Sequence, residues 1–407
     1  MAQAPRNAAL AFIFVTVALD MLAFGVVIPV LPRLILEFRA GDTASANWWQ
    51  ALFGTVFALL QFACAPALGA LSDRFGRRPV ILLSNLALAL DYLLIALAPN
   101  LWWLLVGRAI AGVCSASISV PNAYIADATP PERRAASYGI IGAAFGLGFV
   151  LGPALGGVAG DADPRLPFWI AAGLSLANFA WGVFVLPESL PPERRAAFRP
   201  SQANPVGALR MLREQPVVWG LVGVSALNYL AHDSLPHTFV LYAHYRYAWD
   251  SKLVGLALAA VGVSSMLVSA LLVGRIVRGV GEPRALLFGL GMGVASFALY
   301  ALAPSTPWIF VAIGVGAFWS VWGAAAQSLL TQQVEASQQG RLQGALASLR
   351  AACQIATPLL MNGAFALAVE HSEWGLPGAS FWLSALLVAI ALPLAARVAP
   401  ADARTTA

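Results

Sequence analysis

Apolar residues run along this chain in long unbroken stretches separated by short polar punctuation, without the two-residue alternation of a half-buried strand. The stretches fall near residues 8–32, 48–70, 79–99, 101–126, 138–161, 166–187, 216–243, 253–275, 284–304, 306–334, 341–369 and 376–398. Each reaches the roughly 20 residues that a helix needs to cross about 30 Å of hydrocarbon. Continuous apolar runs predict helices rather than the strands of a barrel. The twelve expected spans, numbered 1 to 12 in chain order, put both chain ends on one side of a membrane. The first stretch carries Asp20 in its middle and is longer than the apolar core of a leader, so it is expected to be a retained span rather than a cleaved one.

Composition agrees: 59% of the residues are apolar and 11% are charged, against about 25% charged in soluble domains. So few charges could not keep a chain of 407 residues dissolved. The net charge of +5 could suggest nucleic acid, but no basic run with interleaved aromatics accompanies it, and no nucleic-acid partner is expected. The 24 basic residues include one lysine, Lys252, and 17 of them fall in loops on the side of the N-terminus. The positive-inside rule then places both termini in the cytoplasm. Cys64, Cys114 and Cys353 lie inside apolar stretches at no metal-ligand spacing, so neither a disulfide framework nor a metal site is expected. HExxH, a nucleophile–His–Asp arrangement and a phosphate loop are all missing, which argues against an enzyme and against a bound cofactor.

Residues 188–215 form the one long polar, proline-rich connection, with six spans on each side. The expected division is therefore 1–188 and 216–407 as six-helix bundles, with 189–215 as a cytoplasmic linker. The halves echo one another: Gly69 and Gly76 bracket the loop after span 2, and Gly274 and Gly281 bracket the loop after span 8. A six-plus-six arrangement with an internal repeat is the sequence sign of a transporter whose halves rock against each other.

Charges within apolar spans are costly, and each asks for a reason. The candidates are Asp20, Asp91, Arg108, Asp233 and Arg350. Asp20, nine residues before Pro29, is the foremost functional candidate: a desolvated carboxylate can hold a proton and give it up when a cation arrives. In span 7, Asp233 and His237 are four apart and would share a face of a continuous helix, with Pro236 favouring a kink. Two readings stand for them, a titrating pair and a passive lip of an outer vestibule.

After span 2 the chain reads Gly69-Ala70-Leu71-Ser72-Asp73-Arg74-Phe75-Gly76-Arg77-Arg78-Pro79, in which the two glycines are expected to permit a tight reversal. This G-x-L-x-D-R-x-G-R-R pattern resembles the major facilitator superfamily. The resemblance implies an all-α fold of twelve membrane helices in two bundles. It also implies a cytoplasmic gate in which Asp73 lies at the N-terminus of span 11 and the arginines face Asp127 at the end of span 4, with Arg134 nearby. Span 5 holds Gly139, Gly142, Gly146, Gly148, Gly152-Pro153 and Gly156-Gly157, and positions 144, 148, 152 and 156 make one smooth face. That spacing is similar to the motif of drug–proton antiporters. Leu19-Asp20 to Pro32, Asp91-Tyr92, Arg108-Ala109-Ile110-Ala111-Gly112, Tyr124-Ile125-Ala126-Asp127 and Leu186-Pro187-Glu188-Ser189 stand in the order and spacing of tetracycline exporters of bacterial inner membranes. By that resemblance Asp20, Asp91 and Arg108 serve proton coupling and substrate transport, and Asp73 and Asp127 serve the gate.

The second half departs from that family. Ser265 stands where tetracycline exporters carry a histidine, and the segment Asn228–His237 is more polar than theirs. The expected function is proton-driven export of a small amphipathic compound, cationic or metal-chelated, tetracycline being the prototype. Another drug, a sugar or a metabolite is the alternative cargo. Asn122, Asn228, Trp319, Trp322 and Gln327 are expected to line the cavity, the tryptophans being equally readable as lipid-facing. The expected partners are protons, the small-molecule cargo and the bilayer, with a monomer sufficient for function.

Overall fold

The computed structural model describes residues 6–114, 119–129, 134–195, 219–333 and 339–398, and of their side chains all but those of 6–11, 119, 122, 126, 128, 134–142, 194, 339–341 and 398. The described residues are overwhelmingly helical, with no strand among them. Ten helices among them are long and apolar enough to cross a membrane. Two of the twelve expected spans are not among these ten. Span 4 is described over Leu101–Cys114 and Ser119–Ala128, and span 7 is broken into the two shorter helices Trp219–His232 and Ser234–Tyr247.

Span 7 corrects an expectation, because residues 216–243 do not make one continuous helix. The break falls at Asp233, which is the N-cap of Ser234–Tyr247. Pro236 explains it: proline has no N–H to give the carbonyl four residues back, so it is tolerated in a first turn and disruptive deeper in a helix. Pro153, Pro66 and Pro358, by contrast, lie inside helices that continue through them, Arg134–Ala162, Thr43–Phe75 and Gln339–Glu370.

Two compact units are distinguished. One comprises Met1–Gly41, Val56–Asn204 and Asp250–Ala259; the other comprises Asp42–Thr55, Pro205–Trp249 and Ala260–Ala407. The first has a buried cluster that includes Ile13, Val17, Met21, Val80, Ile81, Tyr124, Ile125 and Leu186. The second is built around aromatic rings: Tyr242 meets Phe381 edge-on at 4.9 Å between centroids, and Tyr300 stacks on Phe381 at 5.2 Å. Large apolar side chains also point outward. Leu83, Leu90 and Leu97 repeat every seven residues along the exposed face of span 3 and its end, while Ser84, Asn85 and Asp91 are buried on the other face. An apolar exterior over a partly polar interior is the arrangement a helix needs in lipid. Among the exposed tryptophans, Trp48, Trp102, Trp103, Trp169, Trp308 and Trp374 stand at or just before the start of an even-numbered span and Trp219 near the start of span 7, where interfacial aromatics are enriched; Trp382 lies within span 12.

Candidate functional site

Asp20 lies on span 1 and is 5% exposed. Asn178 of span 6 donates its amide N–H to Asp20 Oδ1 at 2.7 Å and to the Thr16 carbonyl at 2.9 Å. Asn85 of span 3, with its amide nitrogen turned toward the carboxylate, donates to Oδ1 at 3.2 Å and Oδ2 at 3.3 Å, and its oxygen accepts from Asn178 at 3.1 Å. Three helices thus close on one carboxylate through neutral amides. Each amide offers a donor and an acceptor, so the cradle can bond both the ionised and the protonated form.

Asp91 is held differently. It is fully buried on span 3, and Arg108 Nη2 of span 4 donates to its Oδ2 at 3.1 Å. The guanidinium lies over the Phe57 ring at 5.9 Å. Gly107 makes this approach possible, since a Cβ there would come within 2.5 Å of Asp91 Oδ1. Asp91 Oδ1 and Arg108 Nε have no hydrogen-bond partner among the described residues, so the pair is fixed by a single contact.

At the other end of span 3, Arg77 is the hub. Its Nε donates to Asp127 Oδ2 at 3.0 Å, and its Nη1 donates to Ser72 Oγ at 2.6 Å and pairs with Asp73 Oδ1. Glu188 sits on the helix start, accepting from the backbone N–H of Arg77 at 2.9 Å and of Arg78 at 3.3 Å, where the helix dipole favours an anion. Arg78 donates to the Gly182 and Val183 carbonyls at the end of span 6. Arg74 is exposed over Phe75, outside this network. Gly76 has φ +103°, and a Cβ there would meet Glu188 Oε2 at 2.2 Å. The reversal therefore belongs to Gly76 alone. Gly69, expected to share it, lies within the helix Thr43–Phe75 with open space around it. The echo after span 8 is structural as well: Gly281 has φ +81°, and Gly274 sits in a helix with open space around it.

The glycine face of span 5 packs on span 1. A Cβ at Gly148 would meet Met21, at Gly152 would meet Gly25, and at Gly156 would lie 1.9 Å from the Val26 carbonyl. Gly157 faces Gly255 in the same way. Helix Arg134–Ala162 contains Arg134 and Gly139, whose surroundings lie outside the described side chains, as does the side chain of Asn122.

The second unit contains a cavity of about 370 Å³. Trp319, Trp322 and Gln327 line it, together with Tyr229, His232, Ser265 and Arg350. The two tryptophans, 7% and 8% exposed, are therefore not lipid-facing. Asn228 stands behind this cavity's wall. It is wholly buried, accepting from Trp319 Nε1 at 3.0 Å and donating to the Val224 carbonyl at 2.9 Å, so it orients a wall residue. Gly293 makes room for the indole of Trp319, and Gly289 for the backbone of Trp322. Asp233, at the N-cap of Ser234–Tyr247, takes His232 Nδ1 at 3.0 Å as its hydrogen-bond partner instead of His237. His237 lies beside Gly54, where a Cβ would be 3.3 Å from its ring.

The sequence profile of the Major Facilitator Superfamily matches residues 13–358. This chain belongs to the Major Facilitator Superfamily. Within it, the chain is similar to the class C tetracycline resistance protein of Escherichia coli, 36% identical over 401 residues that cover 98% of this chain and 99% of that protein. The class B protein of Escherichia coli is 35% identical over 370 residues, 90% of each. Among solved structures, the human organic anion transporter MFSD10 (TETRAN) superposes with a TM-score of 0.68 at 26% identity, covering 97% of this chain and 100% of that one. The chain is a multi-pass membrane protein of a transporter fold, in keeping with the ten helices among its described residues that are long and apolar enough to cross a membrane. For this member of the superfamily, sequence reasoning that follows formal charge misses the uncharged Asn85 and Asn178, and it reads Glu188 only as part of a loop motif.

Proposed function

We propose that this protein exports small amphipathic drugs from bacterial cells in exchange for protons, with tetracycline as the prototype cargo. Full-length similarity to tetracycline resistance proteins carries the reading. Asp20 supplies chemistry that suits it: a buried carboxylate cradled by Asn85 and Asn178 can load and release a proton. Exchange requires that proton and cargo favour different states, since a ligand that binds two states equally shifts neither. In this reading Asp91 and Arg108 tie spans 3 and 4 together near the coupling site. Asp73, Arg77, Arg78 and Asp127 form the cytoplasmic gate, with Arg74 and Arg134 as its basic flank. The glycine seam of Gly139, Gly148, Gly152, Pro153 and Gly156 lets span 5 lie against span 1, and Trp319, Trp322 and Gln327 face cargo.

The protein resides in the inner membrane with both ends in the cytoplasm, functions as a monomer of two six-helix bundles joined by 189–215, and uses the proton gradient in place of a cofactor. The second reading, a different drug or metabolite as cargo, is favoured by Ser265 at the cavity wall in place of a titratable histidine. Tetracycline accumulation in expressing and empty cells, with and without an uncoupler, separates the two. Lower accumulation in expressing cells that the uncoupler abolishes supports tetracycline; equal accumulation assigns another cargo.

A further inference from the structure

Arg350 lies eleven residues after Gln339, the start of the helix Gln339–Glu370, about 16 Å along it at 1.5 Å per residue. A cation at that depth needs a partner. Among the described residues no carboxylate comes within ion-pair distance of it and none lines the cavity that its side chain reaches, although the charge of Asp233 acts on it from span 7. Asp233, the acidic residue of span 7, is bonded to His232 at 3.0 Å. What holds Arg350 is the face of Tyr229, 5.7 Å from the guanidinium carbon. A ring face orients a guanidinium without using its N–H donors, so the fork stays available to a planar pair of oxygens.

The remaining walls are aromatic. Trp319 and Trp322 lie 6.5 Å apart with planes 31° from parallel, and His232 lies 5.4 Å from Trp319 at 34°. Trp319 is fixed by Asn228 and cannot rotate away without losing a buried hydrogen bond. A cavity of about 370 Å³ fits a ligand of a few fused rings. We propose that this cavity receives the negatively charged end of a flat aromatic cargo, its carboxylate, enolate or phenolate oxygens on Arg350 and its rings against Trp319 and Trp322. The inference rests on the exporter reading and deepens it, since it names the ionic class of the cargo. It also sets the chain's preference: an ionised acid is favoured over its neutral isostere, and a cationic form is disfavoured.

The test is isothermal titration of the purified full-length protein with three probes of one shape: 9-anthracenecarboxylate, 9-anthracenecarboxamide and 9-anthracenemethylammonium. A charge-assisted bidentate bond predicts that the carboxylate binds about tenfold more tightly than the amide, and the ammonium more weakly than either. In Arg350→Gln the carboxylate falls to the level of the amide while amide binding holds within about twofold; Arg350→Lys keeps part of the preference. Equal binding of the three probes by the unaltered protein overturns the proposal, as does binding of none, or a preference that survives Arg350→Gln. The unaltered protein alone decides the first two outcomes, so a variant that fails to fold leaves the test intact. Loss of tetracycline export in cells with carboxylate selectivity retained would count against the cargo reading and leave the anion site standing.

Discussion

A carboxylate inside a membrane span can be held by a fixed counter-ion or by a ring of dipoles, and this chain uses both. Asp91 has the counter-ion: removing one partner of the Asp91–Arg108 pair strands the other charge in a buried site. Asp91→Asn or Arg108→Gln alone should therefore cost about 3–5 kcal/mol, and the double variant should recover most of it. Thermal unfolding in detergent of the two single variants and the double variant measures this. Asp20 has the dipoles. Asn178→Leu removes the donor at 2.7 Å and should lower the rate of drug efflux from inverted vesicles about tenfold at equal protein level, because the loading carboxylate loses its alignment. The acidic residues were legible in the sequence because a charge in an apolar run stands out at once. Their cradle was not, because Asn85 and Asn178 are each unremarkable in a helix and acquire meaning only when spans 3 and 6 converge on span 1.

Between elements, small residues decide how closely helices lie, and the two glycines of the loop after span 2 separate in a measurable way. Gly69→Ala adds a methyl to open space within a helix and should leave stability unchanged or raise it by about 0.5–1 kcal/mol. Gly76→Ala must adopt φ +103° and meet Glu188, so it should sharply reduce the amount of folded protein recovered by size-exclusion chromatography. Gly156→Val should do the same, since the Val26 backbone occupies the space. The lengths and limits of most helices follow from the apolar pattern, because lipid imposes both. Span 7 does not follow, because an apolar run with Pro236 is compatible with a bend as well as a break. The structure breaks the helix at Asp233, which then bonds the adjacent His232.

At the scale of the whole molecule, the apolar exterior and the placement of tryptophans fix the chain in a bilayer, and the family membership makes it a transporter. Cargo and coupling depend on fewer groups: one cradled acid in the first unit and one aromatic cavity in the second. If the acid is the exchanging group, drug binding and proton release are one event even without a membrane gradient. The direct measurement is the pH change of a weakly buffered solution of purified protein when drug is added, for the unaltered chain and for Asp20→Asn. Release of protons by the unaltered protein in proportion to bound drug, and none by Asp20→Asn, is the predicted result. Equal release by both would contradict it and place the exchanging proton on another group.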